Sequence, residues 1–184
     1  MKEVSVFLAD GFEEIEGLTV VDILRRAGIE VETVSIMESD MIQGSHGIIV
    51  TADKMFEEAD FSNDKMLVLP GGLPGTDYLR EHKELNELIL KFNNENKQLA
   101  AICAAPTVFG GLGLLKDKKA TCYPGLEEGL DCAQAVEDAV VTDGNITTAR
   151  GMGVSAYFAL RLVAILKDED TALALKKAIV CPEV

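Results

Sequence analysis

The chain has 184 residues, 48% apolar and 26% charged, the balance of one ordinary globular domain rather than of a disordered or fibrous segment. Thirty-one acids against seventeen bases give a formal charge of −14, a field that repels phosphate and argues against nucleic acid and anionic membrane surfaces as partners. No apolar run approaches the roughly 20 residues that span a bilayer, and Met1-Lys2-Glu3 lacks the marks of a secretory leader, so the expected address is cytoplasmic.

Taken in chain order, Val4 to Ala9 reads as a first strand, continuously apolar and therefore buried on both faces. Asp10-Gly11 marks a turn. A helix is predicted from Glu14 to Arg26, with Ile15, Leu18, Val21 and Leu24 three residues apart and Gly28 as its stop. Val31 to Ile36 is a second strand, and Met41 to Thr51 a short hairpin turning at Gly44-Ser45-His46-Gly47. Met66 to Leu69 is a buried strand that ends abruptly in Pro70-Gly71-Gly72, and helical pattern resumes from Thr76 to Asn94 in two pieces. Leu99 to Ile102 is a strand leading into Cys103, with a helix expected from Ala104 to Leu112 and Pro106 tolerated in its first turn. Ala120 to Cys122 suggests a short strand holding a half-buried cysteine. Val140-Val141-Thr142 and Ile146-Thr147-Thr148 flank Asp143-Gly144-Asn145 as a β-hairpin, and helices follow from Val154 to Leu166 and from Asp170 to Ala178. Strands alternating with helices imply a single α/β domain over residues 1–184: a three-layer α-β-α sandwich on a mostly parallel sheet with one antiparallel hairpin.

In such sheets ligands gather at the carboxyl ends of the strands. The loops there are Asp10 to Glu16, Pro70 to Gly75 and the segment at Cys103. Ala100-Ala101-Ile102-Cys103-Ala104-Ala105 supplies the small residues that a sharp strand-to-helix turn needs, and a thiol at a helix N-terminus is favoured as thiolate. The same residues equally fit an inert cysteine packed at an apolar strand end. Gly71 and Gly72 read plainly as a turn, or as backbone N–H groups approaching a developing negative charge. Of Glu13, Glu14 and Glu16, at least two are explained as acids complementing the helix dipole; a buried, protonated Glu16 could instead donate to a thiolate. Cys122, Cys132 and Cys181 form no C-x-x-C pair and no H-x₃₋₅-H accompanies them, which leaves no zinc site, and disulfides are a poor default in the cytosol. His46, in a turn, and His82, on a polar helical stretch, read as surface residues, so no Cys-His dyad is evident. The four acids of Asp10 to Glu16 are unsuited to a flavin or nucleotide phosphate, and no cofactor is expected.

Four ordered segments carry a resemblance over essentially the whole chain: Gly11-Phe12-Glu13-Glu14-Ile15-Glu16, Leu69-Pro70-Gly71-Gly72, Ala101-Ile102-Cys103-Ala104-Ala105-Pro106 and Thr148-Ala149-Arg150-Gly151-Met152-Gly153. Together they resemble the ThiJ/PfpI superfamily, in the branch that holds the Parkinsonism-associated protein deglycase and its bacterial relatives. The resemblance implies a flavodoxin-like sandwich of the class I glutamine amidotransferase kind, a homodimer, and a cysteine on a nucleophile elbow. It places the nucleophile at Cys103, the glutamate at Glu16, the oxyanion amides at Gly72 and Ala104, and a pocket at Gly71, Tyr123, Arg150 and Gly151. The activity it implies is a cofactor-independent glyoxalase or deglycase acting on α-oxoaldehydes such as methylglyoxal or on glycated protein, and, as an alternative, an oxidative-stress sensor or chaperone-like dimer using the same cysteine. Two positions depart from the pattern. Tyr123 stands where the branch often has His, and a phenol with a reference pKa of about 10 is a poor base. Ala104 stands where the peptidases of the superfamily have His, so a peptidase lacks its base.

Overall fold

The computed structural model describes residues 2–182. Its centre is a seven-stranded sheet whose strands are β1 (Val4–Leu8), β2 (Val31–Ser35), β5 (Lys54–Met55), β6 (Met66–Leu69), β7 (Gln98–Ile102), β10 (Val140–Asp143) and β11 (Ile146–Ala149). They lie in the order β10-β11-β7-β6-β1-β2-β5, all parallel except the hairpin β10–β11. Every residue of β1, β6 and β11 is buried, which is why these strands read as continuous apolar or small-residue runs rather than as alternation. Two small pairs stand outside this sheet: β3 (Met41–Gln43) with β4 (Ile49–Thr51), and β8 (Lys119–Ala120) with β9 (Gln134–Ala135).

Six helices complete the layers: α1 (Glu14–Arg26), α2 (Gly75–Glu81), α3 (Lys83–Asn94), α4 (Pro106–Gly111), α5 (Ser155–Leu166) and α6 (Glu169–Ala178). One face of the sheet packs Val4, Val6, Leu8, Val68 and Ile102 against Val20 and Leu24 of α1 and Phe158 and Leu162 of α5. The other packs Phe7, Leu67, Leu69, Leu99 and Ala101 against Leu85, Ile89 and Phe92 of α3 and Val108 and Phe109 of α4. The fold is therefore the expected three-layer α/β sandwich.

Several local expectations are corrected. The helix after Cys103 starts at Pro106, because Cys103, Ala104 and Ala105 are spent on the turn and proline takes the first helical position. Cys122 is 1% exposed and lies just past the two-residue β8, so it is a core residue rather than a half-buried strand residue. His82 is also not a surface side chain. It joins α2 to α3, its Nδ1 accepts from Leu85 N at 3.1 Å, and its ring packs tilted against Phe56 with centroids 4.7 Å apart.

Candidate active site

The strands β1, β6 and β7 are neighbours, so their three following loops meet at one end of the sheet. Cys103 sits where β7 stops, with φ at +64°, a left-handed conformation that non-glycine residues adopt only when the surroundings impose it. Its backbone is held on both sides. Cys103 N donates to Ala149 O at 2.9 Å, and Tyr123 N donates to Cys103 O at 2.8 Å. The thiol is half-buried.

Glu16 follows the β1–α1 loop, in the first turn of α1, and its side chain faces the thiol. It is fully buried; Oε2 accepts from Gly71 N at 2.9 Å, while Oε1 is buried with no hydrogen-bond partner. Burial pushes its pKa up to about 7, against the opposing effects of the Cys103 thiol and the Gly71 amide. Burial and then the negative charge of Glu16 push the Cys103 thiol up to about 12, while the backbone N–H groups of Ala104 and Gly72 pull it down. A thiolate at Cys103 therefore requires the neighbouring proton to sit on Glu16.

The glycines of the β6–α2 loop are there for close approach. A Cβ on Gly71 would lie 2.6 Å from Cys103 Cβ and 2.7 Å from Glu16 Oε2, and Gly72 has φ +91° with the backbone of Glu13 and Phe12 against it. Tyr123 is half-exposed and its ring lies 3.4 Å from where a Cβ on Gly151 would stand. Arg150 follows β11, its N donating to Ala139 O, and its charge acts on the Cys122 thiol. The structure thus gathers Cys103, Glu16, Gly71, Gly72, Ala104, Tyr123 and Gly151 at one place, with Arg150 at its border.

The sequence did not disclose the work of the other two glutamates. Glu13 Oε2 accepts from Glu16 N at 2.8 Å and so caps α1. Glu14 is buried and braces the β3–β4 turn, accepting from His46 N at 2.7 Å and Ile48 N at 3.4 Å, and meeting His46 Nδ1 at 2.9 Å and Ser45 Oγ at 3.3 Å. Burial raises its pKa, but these partners outweigh that and hold it at about 2. Glu13, Glu14 and His46 offer ligand atoms within 4.8 Å of one another. Both Glu14 oxygens are already engaged, which makes the trio a structural brace. Glu14 is thus not an exposed acid of the first helical turn.

A cysteine in a left-handed conformation at a strand-to-helix turn, beside two amides and a buried carboxyl, defines an α/β protein whose site lies at the carboxyl end of its parallel sheet. The chain belongs to the DJ-1/PfpI family, whose model matches residues 2–165. Protein DJ-1 homolog B of Arabidopsis thaliana is 39% identical over 174 residues, 94% of this chain, but the chain spans only 40% of that protein's length. The Parkinson disease protein 7 homolog of Danio rerio is 32% identical, with 97% of each chain covered. Among solved structures, Toxoplasma gondii DJ-1 in an oxidized form superposes with a TM-score of 0.93 at 30% identity over 98% of both chains. A C103A mutant of a DJ-1 superfamily protein from Salmonella typhimurium gives 0.93 at 34% identity over 100% of both. No helix of the described residues is long and apolar enough to cross a membrane.

Proposed function

We propose that this protein converts α-oxoaldehydes such as methylglyoxal, free or as protein adducts, with Cys103 as nucleophile and Glu16 as proton carrier, and with no metal or organic cofactor. The observation that carries this reading is the buried Glu16 carboxyl, with its pKa raised to about 7, facing a thiol held at the elbow. The Cys103 proton passes to Glu16, sulfur attacks the aldehyde carbon, the carbonyl electrons move to oxygen, and the N–H groups of Gly72 and Ala104 hold that oxygen while Glu16 gives it the proton. Glu16, now ionised, removes the proton from the same carbon to form an enediolate and returns it to the neighbouring carbon, while the proton of the first hydroxyl passes to the neighbouring oxygen. One carbon is oxidised and its neighbour reduced, leaving a lactate thioester. Water cleaves the thioester and restores the thiol, so the sum is methylglyoxal plus water giving lactate and a proton.

Tyr123 is joined to Cys103 through its backbone N–H, and Gly151 lies against its ring; no histidine stands at either position, which leaves proton transfer to Glu16. Cys103→Ala is expected to abolish methylglyoxal conversion, and Glu16→Gln to slow it by about 10²–10⁴-fold, the usual worth of a general acid–base group. Wild-type rates in both variants would sink the reading.

A second reading uses the same thiol as a peroxide sensor. The half-buried Cys103 and the oxidized form of the Toxoplasma relative favour it. Mild peroxide should then take Cys103 to a sulfinic acid while Cys122 stays reduced, with negligible turnover of methylglyoxal. Even oxidation of Cys103, Cys122, Cys132 and Cys181, read by mass mapping, would count against it. Under either reading a cytoplasmic homodimer fits. The α1 helix leaves Ile15 and Leu18 exposed beside Ile48, side chains that the same face of a second copy would cover.

A further inference from the structure

The two amides that face the thiol belong to different loops, one before α2 and one before α4. The carbonyl that follows each of them is anchored in the same way. Gly72 O accepts from Thr76 N at 2.9 Å and also from Thr76 Oγ1 at 2.9 Å. Ala104 O accepts from Thr107 N at 3.1 Å and from Thr107 Oγ1 at 2.7 Å. Both threonines are buried, at 0% and 7% exposure, so neither hydroxyl has water as an easy alternative. Arg80, near the end of α2, then crosses to α4: Nη2 donates to Thr107 Oγ1 at 2.8 Å, while Nη1 is held by Asp77 Oδ1 at 2.6 Å. With its lone pair engaged by the guanidinium, the Thr107 hydroxyl is turned to give its proton to Ala104 O.

The geometry points to Thr76, Thr107 and Arg80 as positioning residues, a clasp that fixes the Gly72 and Ala104 amides relative to each other across the thiol. Sheet pairing sets where the two loops begin, with Leu69 of β6 opposite Ala101 of β7. Beyond those residues Gly71 and Cys103 are each held by hydrogen bonds to other elements, and the clasp ties the next residues, Gly72 and Ala104, to one another. The hydrogen bonds of its members go to Gly72 O, Ala104 O, Asp77 and one another, not to the thiol. Their effect is on an oxyanion held between two donors, which tolerates little misplacement. The inference rests on the reading of Gly72 and Ala104 as the oxyanion site.

The test compares Arg80→Met, Thr107→Val, Thr107→Ser and the Arg80→Met/Thr107→Val double variant. Steady-state methylglyoxal kinetics are measured beside the pH dependence of Cys103 alkylation by iodoacetamide. Removing an oxyanion donor outright costs about 10²–10³ in kcat, so loosening one is expected to cost about tenfold, with KM unchanged. Arg80→Met and Thr107→Val should both show this loss and slow alkylation at neutral pH, and the double variant should be no worse than Thr107→Val. Thr107→Ser, which keeps the hydroxyl, should restore most of the rate. Arg80 is exposed, so Arg80→Met keeps the fold even if a buried threonine change does not. Wild-type kcat in Arg80→Met, a loss confined to KM, or an equal loss in Thr107→Ser would overturn the clasp. If the wild-type protein converts no methylglyoxal, the glyoxalase reading fails by itself. The clasp is then decided by alkylation, and rates unchanged in Arg80→Met and Thr107→Val overturn it.

Discussion

Burying a carboxyl with one oxygen unpartnered costs free energy whenever that carboxyl is ionised, and Glu16 is held that way with no solvent exposure. Its folded pKa of about 7 lies above the ordinary value of 4.5, so the folded state holds this proton more tightly than the unfolded chain. The stability it contributes is complete below the unfolded pKa and is lost as pH rises through the folded one, between about 4.5 and 7, an amount on the order of 3 kcal/mol. Glu16→Gln keeps an oxygen for the Gly71 amide and removes the charge. It is expected to raise the midpoint of thermal unfolding at pH 8 and to change it little at pH 4.5, while reducing turnover. A variant that is less stable than wild type at pH 8 would show that the ionised carboxyl has partners enough. Function and stability pull apart at this one side chain, as is common where a site needs a strained or desolvated group.

At the scale of elements, the elbow is held from behind by α4, and α4 is held by glycine contacts. A Cβ on Gly110 would run into the backbone carbonyls of Gly129 and Leu130, neither of which is a flexible side-chain end. Gly110→Ala is expected to destabilise the fold by about 1–3 kcal/mol or more, read by denaturant unfolding, and to slow turnover by shifting α4 and with it Ala104. Gly111, one residue on, has open space at its Cβ, so Gly111→Ala is the control that should be near neutral. Apolar runs, three-residue spacing and turn residues suffice to place β1, α1, β6, β7, the β10–β11 hairpin and α5, although two of the spaced residues that mark α1, Ile15 and Leu18, are exposed rather than core. They were not enough for β5 and β9, two-residue strands too short to show any period. Cys103 and Glu16 were legible through local turn chemistry joined to ordered motifs. The brace on Glu14 and the clasp on Thr107 were not, since their partners stand 32 and 27 residues away and nothing in either segment names the other. His82 differs from its expectation for a related reason: a histidine among polar residues looks solvated until the fold brings the Phe56 ring against it.

For the whole molecule, charge and apolar surface act in opposite directions. Each chain carries −14, so two copies repel at long range, and that repulsion is screened as salt shortens the Debye length to about 8 Å at physiological ionic strength. Against it stands the face of α1 and the β4 approach, where Ile15 is 49% and Ile48 53% exposed in a single chain. Burial of that face between two copies is short-ranged and little affected by salt. The proposed homodimer should therefore tighten as salt rises from low to physiological levels, the reverse of an assembly held by opposite charges. Ile15→Glu puts a new carboxylate on each copy, and twofold symmetry brings the pair toward one another at the interface. It is expected to give a monomer by sedimentation with unchanged far-ultraviolet circular dichroism, because the side chain is not part of the core. Its unfolding midpoint should also lose the dependence on protein concentration that a dimer shows. Turnover in that monomer then reports whether a second copy completes the site. Glu14 and Glu16 flank Ile15 on the same helix turn, so a loosened face would reach both the brace on the β3–β4 turn and the proton at Cys103. A wild-type protein that sediments as one chain at micromolar concentration in physiological salt would remove the homodimer and leave the α1 face open to a different partner.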